Sequence, residues 1–284
     1  MLKLYKKVHY IFLSAIVFVL QWGCNTINPP EKVPTYIHID SFQFEGTQTH
    51  DIRSVWVYYN NNPVGAFDLP CTVPIITSGA KGSLQLAPGI AINGRNERPV
   101  TYPFYTIDVS ELTEQPGKIV SYIPKTKYFD SVKTYVVSDF EAGITKFAKW
   151  GGTTGIVAAT ADSLRFEGTG SGVVYLNSAA DSSIDSNTVA FQIPNGASFI
   201  EFDYKSSVPF TLGMQGYLTS GFASSIEYLA GVNPNNQWQK FYLNTTAFVS
   251  RHAGGNYYLY IKTSVPAGQT SGRLLIDNVK LITF

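Results

Sequence analysis

From Thr35 to its end, this 284-residue chain sets short apolar runs against polar residues and cuts them with Gly, Pro and Asn. Tyr36-Ile37-His38-Ile39-Asp40, Val55-Trp56-Val57-Tyr58-Tyr59 and Phe199-Ile200-Glu201-Phe202-Asp203-Tyr204 are examples. A period of two puts alternate side chains on opposite faces of a strand. No window sustains a helical period, and the best helical candidate, residues 108–115 before Pro116-Gly117, amounts to a turn or two. Regular short strands without intervening helices restrict the chain to sandwiches or barrels and exclude a parallel α/β sheet. The predicted fold class is all-β.

Aromatics make up 14% of the chain and charged residues 14%, against a usual charged share of about 25%. A disordered chain has the opposite balance, so the aromatic supply is read as core-forming. The formal charge is only +1, which leaves no basic excess for a nucleic-acid partner. Two cysteines cannot build a disulfide scaffold.

The organisation divides near Ser138. Residues 35–137 hold eight or nine strand-like runs, with Pro63-Val64-Gly65, Ala87-Pro88-Gly89 and Asn93-Gly94 as predicted turns. That size suits an Ig-like or transthyretin-like sandwich, with Trp56 as its core anchor. Residues 138–284 form the second unit. It opens with Asp139-Phe140-Glu141, passes through Phe199-Ile200-Glu201-Phe202-Asp203-Tyr204-Lys205 and Trp238-Gln239-Lys240-Phe241, and closes on Ile276-Asp277-Asn278-Val279-Lys280-Leu281. This order resembles the jelly-roll β-sandwich of carbohydrate-binding modules and related galactose-binding-like domains.

The N-terminus reads as an export signal. Lys3, Lys6 and Lys7 precede an almost unbroken apolar run over residues 11–20, too short to span a bilayer at about 20 residues but suited to a signal peptide. Gly23-Cys24 follows, and resembles the cleavage box of bacterial lipoproteins of the looser Bacteroidetes type, although Gln21 and Trp22 depart from the usual pattern. The resemblance implies a signal peptide over residues 1–23, acylation of Cys24, a Pro-rich tether over residues 24–34, and a lipid-anchored place at the cell outer membrane, possible exposure at the surface included. Loss of the three lysines with the signal takes the formal charge from +1 to −2. Cys71 is then left alone, and is expected to behave as a small buried hydrophobe.

The chain offers residues for three kinds of site. The jelly-roll resemblance implies a structural calcium between the first and last strands, with Glu141, Asp277 and Asp139 as carboxylate ligands. Calcium needs six to eight oxygens, so loop carbonyls would complete the shell. The resemblance also implies glycan as ligand. Sugars stack on exposed rings and hydrogen-bond to amides and Arg. Trp150 beside Gly151-Gly152, Tyr217 and Tyr228 in a Gly/Ser-rich stretch, Asn236 before Trp238, and Arg251 in a Gly-rich loop are the candidates, each also capable of serving only in packing. Catalysis finds little support. Glu201 and Asp203 share a strand face, but glycoside hydrolysis needs two carboxylates across the scissile bond, and the pair reads instead as the polar face of a half-exposed strand. His38, His50 and His252 are scattered, and no metalloprotease, nucleophile-elbow or P-loop motif occurs. The expected function is non-catalytic glycan binding by an envelope lipoprotein. The other expectation is a structural or adhesion role toward another envelope protein. Geometry separates the two: glycan binding predicts at least two exposed rings on one face or cleft, and a scaffold predicts those rings buried.

Overall fold

The computed structural model describes residues 31–77, 80–94, 99–217, 221–252 and 255–284. The export segment, Cys24 and most of the tether lie outside the described residues. The fold is all-β, and both units are sandwiches.

The first unit is built from β1 (Thr35–Ile39), β2 (Gln43–Phe44), β3 (Ser54–Tyr59), β4 (Asn62–Asp68), β5 (Cys71–Ile75), β6 (Lys81–Ile90), β7 (Val100–Thr101), β8 (Asp108–Thr113), β9 (Ile119–Ser121) and β10 (Lys125–Thr126). One sheet runs β4-β3-β6, with β7 and β8 both on the far side of β6; a second runs β5-β1-β9; β10 pairs with β2. Alternation decides what is buried: Ile37, Ile39, Val55, Val57, Val73, Ile75, Leu84 and Leu86 face one another between the sheets. Trp56 falls on the other face of β3 and is half-buried outside this core, because Val55 and Val57 take the inward positions. β3 and β4 join through Asn60 and Asn61, both with positive φ (49° and 63°), the geometry of a tight hairpin turn.

Three local expectations give way to pairing. Residues 108–113 form β8 and not a helix, since an isolated two-turn helix is marginal while the edge of β6 offers six rungs from Lys81↔Thr113 to Leu86↔Asp108. Pro63-Val64-Gly65 lies inside β4, an edge strand, where the missing proline donor is tolerated. Ala87-Pro88-Gly89 lies inside β6, with Pro88 at the gap between the ladders to β8 and β7. Asn93-Gly94 does turn, both at positive φ.

The second unit holds β11 (Lys133–Ser138), β12 (Phe147–Gly152), β13 (Val157–Ala159), β14 (Ser171–Asn177), β15 (Ser182–Asn187), β16 (Phe191–Gln192), β17 (Ser198–Ser206), β18 (Phe210–Tyr217), β19 (Glu227–Val232), β20 (Asn235–Asn244), β21 (Asn256–Ser264) and β22 (Ser271–Thr283). Sheet β14-β22-β17-β20 faces sheet β15-β21-β18-β19, the strand order of a jelly roll. β13 extends the first sheet beside β14, and β12 extends the second beside β15. β11 pairs with the last residues of β22, so this strand, counted with the first unit by sequence, hydrogen-bonds in the second. Phe140, Phe202, Phe210, Leu212, Met214, Phe241, Leu259 and Ile276 fill the interior.

A third core lies between the two units. Ile90, Tyr102, Phe104 and Tyr105 from the first pack on Phe199, Tyr242 and Ile282 from the outer face of sheet β14-β22-β17-β20. Tyr102 meets Phe199 and Tyr242 edge-on, each at 5.1 Å. Backbone joins them too, as Asn93 N donates to Tyr242 O at 2.9 Å.

Candidate functional site

The outer face of sheet β12-β15-β21-β18-β19 carries a band of aromatic rings. Inward positions of β21 are Tyr257, Leu259 and Ile261, so period two sends Tyr258, Tyr260 and Lys262 outward. Cross-strand partners follow: Gln215 opposite Tyr258, Gly213 opposite Tyr260, and Gly213 again opposite Tyr228 on β19. Tyr217 continues the row on β18. At the other edge β12 bulges between Lys149 and Gly151, and Trp150 in that bulge meets Tyr260 edge-on at 5.5 Å. Four strand spacings of about 4.8 Å separate β12 from β19, so the band is about 19 Å across.

Each ring is held. Tyr260 is buried beneath its neighbours, and its hydroxyl donates to Gln215 Oε1 at 2.7 Å; Gln215 Nε2 donates to Ser224 O at 2.8 Å, which ties the ring to the β18–β19 loop. Burial pushes the Tyr260 hydroxyl up from its ordinary value, so it stays a neutral donor. Tyr217 meets Tyr258 edge-on at 5.4 Å. Tyr228 lies across Gly213, where a Cβ would come within 3.0 Å of its Cδ1, and Lys262 Nζ stands 5.6 Å from its ring centre. Even so, Trp150 is 58% exposed, Tyr228 45% and Tyr217 40%. The face therefore offers three open rings, with Gln215, Lys262 and Asn256 among and beside them.

The structure thus brings Trp150, Tyr217 and Tyr228 together on one face. Arg251 ends the short helix Thr246–Arg251 and pairs with Glu227, the neighbour of Tyr228, at the rim. Asn236 sits on β20 in the opposite sheet, away from the rings. Tyr258 and Tyr260 were missed by sequence reasoning, though the alternation in Tyr257-Tyr258-Leu259-Tyr260-Ile261 carries the signal that places both on one face.

The three carboxylates read as calcium ligands are placed separately. Asp139 Oδ1 accepts from Glu141 N at 3.4 Å. Glu141 Oε2 accepts from Thr169 N at 2.8 Å and from its hydroxyl. Asp277 takes Ser171 Oγ at 2.7 Å and Asn278 N at 2.7 Å, one on each oxygen. Among the described residues no three His, Cys, Asp or Glu side chains gather as a metal site.

The opposite outer face is closed. Glu201 and Asp203 are 1% and 2% exposed, not half-exposed, because the first unit covers their strand. Glu201 pairs with Lys240 at 2.9 Å and accepts from the Tyr128 hydroxyl at 2.8 Å and from the Tyr102 hydroxyl. Burial and the Glu201 charge hold the Tyr102 and Tyr128 hydroxyls well above the usual phenol range. Asp203 Oδ2 accepts from Thr49 Oγ1 at 3.0 Å and Asn278 Nδ2 at 3.2 Å.

No family model matches the chain, and no curated protein sequence matches it. Among solved structures it is similar to a family 11 carbohydrate-binding module of a cellulosomal cellulase of Clostridium thermocellum, at 14% identity and a TM-score of 0.38 over 54% of this chain and 95% of that one. It is likewise similar to a xylan-binding domain of module family 22, at 15% identity and a TM-score of 0.36 over 54% and 95%. A carbohydrate-binding module of the β-sandwich superfamily aligns over 88% of this chain and 98% of its own, at 11% identity and a TM-score of 0.39.

Proposed function

We propose that this protein is a non-catalytic, lipid-anchored envelope protein that binds glycan on the outer face of sheet β12-β15-β21-β18-β19. The single observation that carries the reading is the clustering of three exposed rings, Trp150, Tyr217 and Tyr228, across one sheet face. A scaffold role predicts those rings buried. The apolar faces of sugar rings stack on them, while the Gln215 amide, the Lys262 ammonium and the Asn256 amide exchange hydrogen bonds with hydroxyls. The absence of catalysis is supported by Glu201, whose carboxylate is committed to Lys240 and two tyrosines beneath the first unit and out of reach of substrate. Anchoring rests on the resemblance around Cys24.

A glycan array with the full-length chain tests the ligand. Binding that falls at least tenfold in Trp150→Ala is expected; a folded chain that binds no glycan rules the reading out. Cys24→Ala tests the anchor, since the variant should leave the membrane fraction, and continued attachment would refute lipidation there.

A further inference from the structure

A second cleft opens where the two units meet, on the closed side of the jelly roll. It has a volume of about 410 Å³, within the usual range for small-molecule sites. Trp238, half-buried at the start of β20 and against Phe166 at 5.2 Å, forms one wall. His50 and Thr49, from the β2–β3 loop of the first unit, form the other, and Asp203 and Lys240 line it between them.

What distinguishes this cleft is its uncommitted hydrogen-bonding capacity. Asp203 is 98% buried, yet only Oδ2 takes hydrogen bonds from the described residues, and Oδ1 is left over. That oxygen is not sealed from solvent, so its donor is supplied from the cleft side, by water or by a ligand hydroxyl. Lys240 Nζ uses two of its three N–H groups, on Glu201 and Thr49. The Gln239 amide, the Trp238 indole N–H and the His50 ring nitrogens have no hydrogen-bond partner among the described residues. Burial, the largest influence, lowers the His50 pKa, so its ring is neutral and offers one donor and one acceptor. Charge along the lining is balanced: Asp51 pairs with Arg53 at 2.6 Å, and Asp203 feels Lys240. A fixed cation or anion is therefore not what the cleft selects.

We infer that this junction cleft is a binding site for a neutral polyhydroxylated ligand of sugar-ring size, held by Asp203 Oδ1 and Lys240 Nζ across adjacent hydroxyls with its apolar face on Trp238. The inference does not rest on the ring band of the open face. Because Thr49 and His50 come from one unit and Trp238 from the other, the ligand bridges both.

Neutral methyl glycosides of glucose, mannose, galactose and xylose, titrated into the full-length chain and followed by protein NMR, test it. The Trp150→Ala chain, which removes the most exposed of the three open-face rings, should retain saturable shifts for at least one glycoside. Adding Asp203→Asn should weaken them at least tenfold, and methyl glucuronide should bind more weakly than its neutral counterpart. No saturable binding in folded Trp150→Ala, or binding indifferent to Asp203→Asn, overturns the inference. If Asp203→Asn does not fold, Gln239→Ala and His50→Ala, both at the cleft surface, take its place with the same expected loss.

Discussion

The two outer faces of the jelly roll are written in nearly the same residue types and meet opposite surroundings. On one, Tyr242, Phe199, Lys240 and Glu201 alternate outward along β17 and β20; on the other, Tyr258, Tyr260, Lys262 and Gln215 do so along β18 and β21. The first face is sealed by Tyr102, Phe104 and Tyr105 of the other unit. The second stays open. Rings and charges on a strand are thus not in themselves a binding surface or a core; what covers them decides. The consequences are also unequal. On the sealed face a charge without its partner is stranded in a low-dielectric interior, whereas on the open face water replaces any group removed.

The strongest way to break this comparison is Glu201→Ala. It takes from the buried Lys240 ammonium its ion-pair partner, and leaves the Tyr102 and Tyr128 hydroxyls without their Glu201 acceptor. Removing one partner of a buried pair costs about 3–5 kcal/mol. Chemical denaturation should register that loss. A loss below about 1 kcal/mol would mean that water reaches the pair, and the two faces would then differ far less than their burial implies.

The alternation that builds every sheet is readable in the chain, because a period of two is local information. Trp150, Tyr217 and Tyr228 stand out in the chain by their Gly- and Ser-rich surroundings, which read as loops, whereas the structure places all three in strands β12, β18 and β19. The burial of Glu201 is not readable. Its two tyrosine partners lie 99 and 73 residues earlier, and only the docking of one sandwich on another brings them to it. The same cause defeats the reading of residues 108–113: helical preference is a property of the segment, but the rung it fills belongs to β6. Trp56 shows the limit of local size, since a large ring in mid-strand faces whichever side its parity assigns.

Acid sharpens the contrast on the sealed side. Burial raises the Asp277 carboxyl to about 6, the neighbouring Asp203 adding to the rise, and Asp203 itself is raised mainly by burial. A folded-state pKa above the unfolded value of about 3.9 means that the folded state holds its proton more tightly. The stability this confers is complete below about pH 4 and is lost as pH rises through about 6. For this group alone, stability should fall between pH 4.5 and pH 7 by an amount on the order of 1 kcal/mol, read as a falling melting temperature. Asp277→Asn should flatten the profile in that window. A profile unchanged by the substitution would show that the carboxyl is solvated.

On the open face, Trp150→Ala should cost less than about 1 kcal/mol of stability, since it removes one edge-on ring contact from an exposed side chain. Thermal melting measures this directly. A loss of several kcal/mol would make Trp150 a packing residue, and the openness of that face would no longer argue for a ligand.

The smallest expected effect concerns Asp139, Glu141 and Asp277. Each carboxylate is satisfied by neighbours within the chain: Glu141 by Thr169, Asp277 by Ser171 and Asn278, Asp139 by the Glu141 amide. A calcium ion would have to displace those donors and find at least three further oxygens to reach its usual six to eight. Ligand binding raises the melting temperature only where the folded state gains affinity over the unfolded one. Millimolar calcium followed by chelator should therefore leave the melting temperature unmoved. A rise reversed by the chelator, and abolished by Glu141→Gln, would mean that the Thr169 contact gives way to admit the ion, so that here too the surroundings of a carboxylate set what it does.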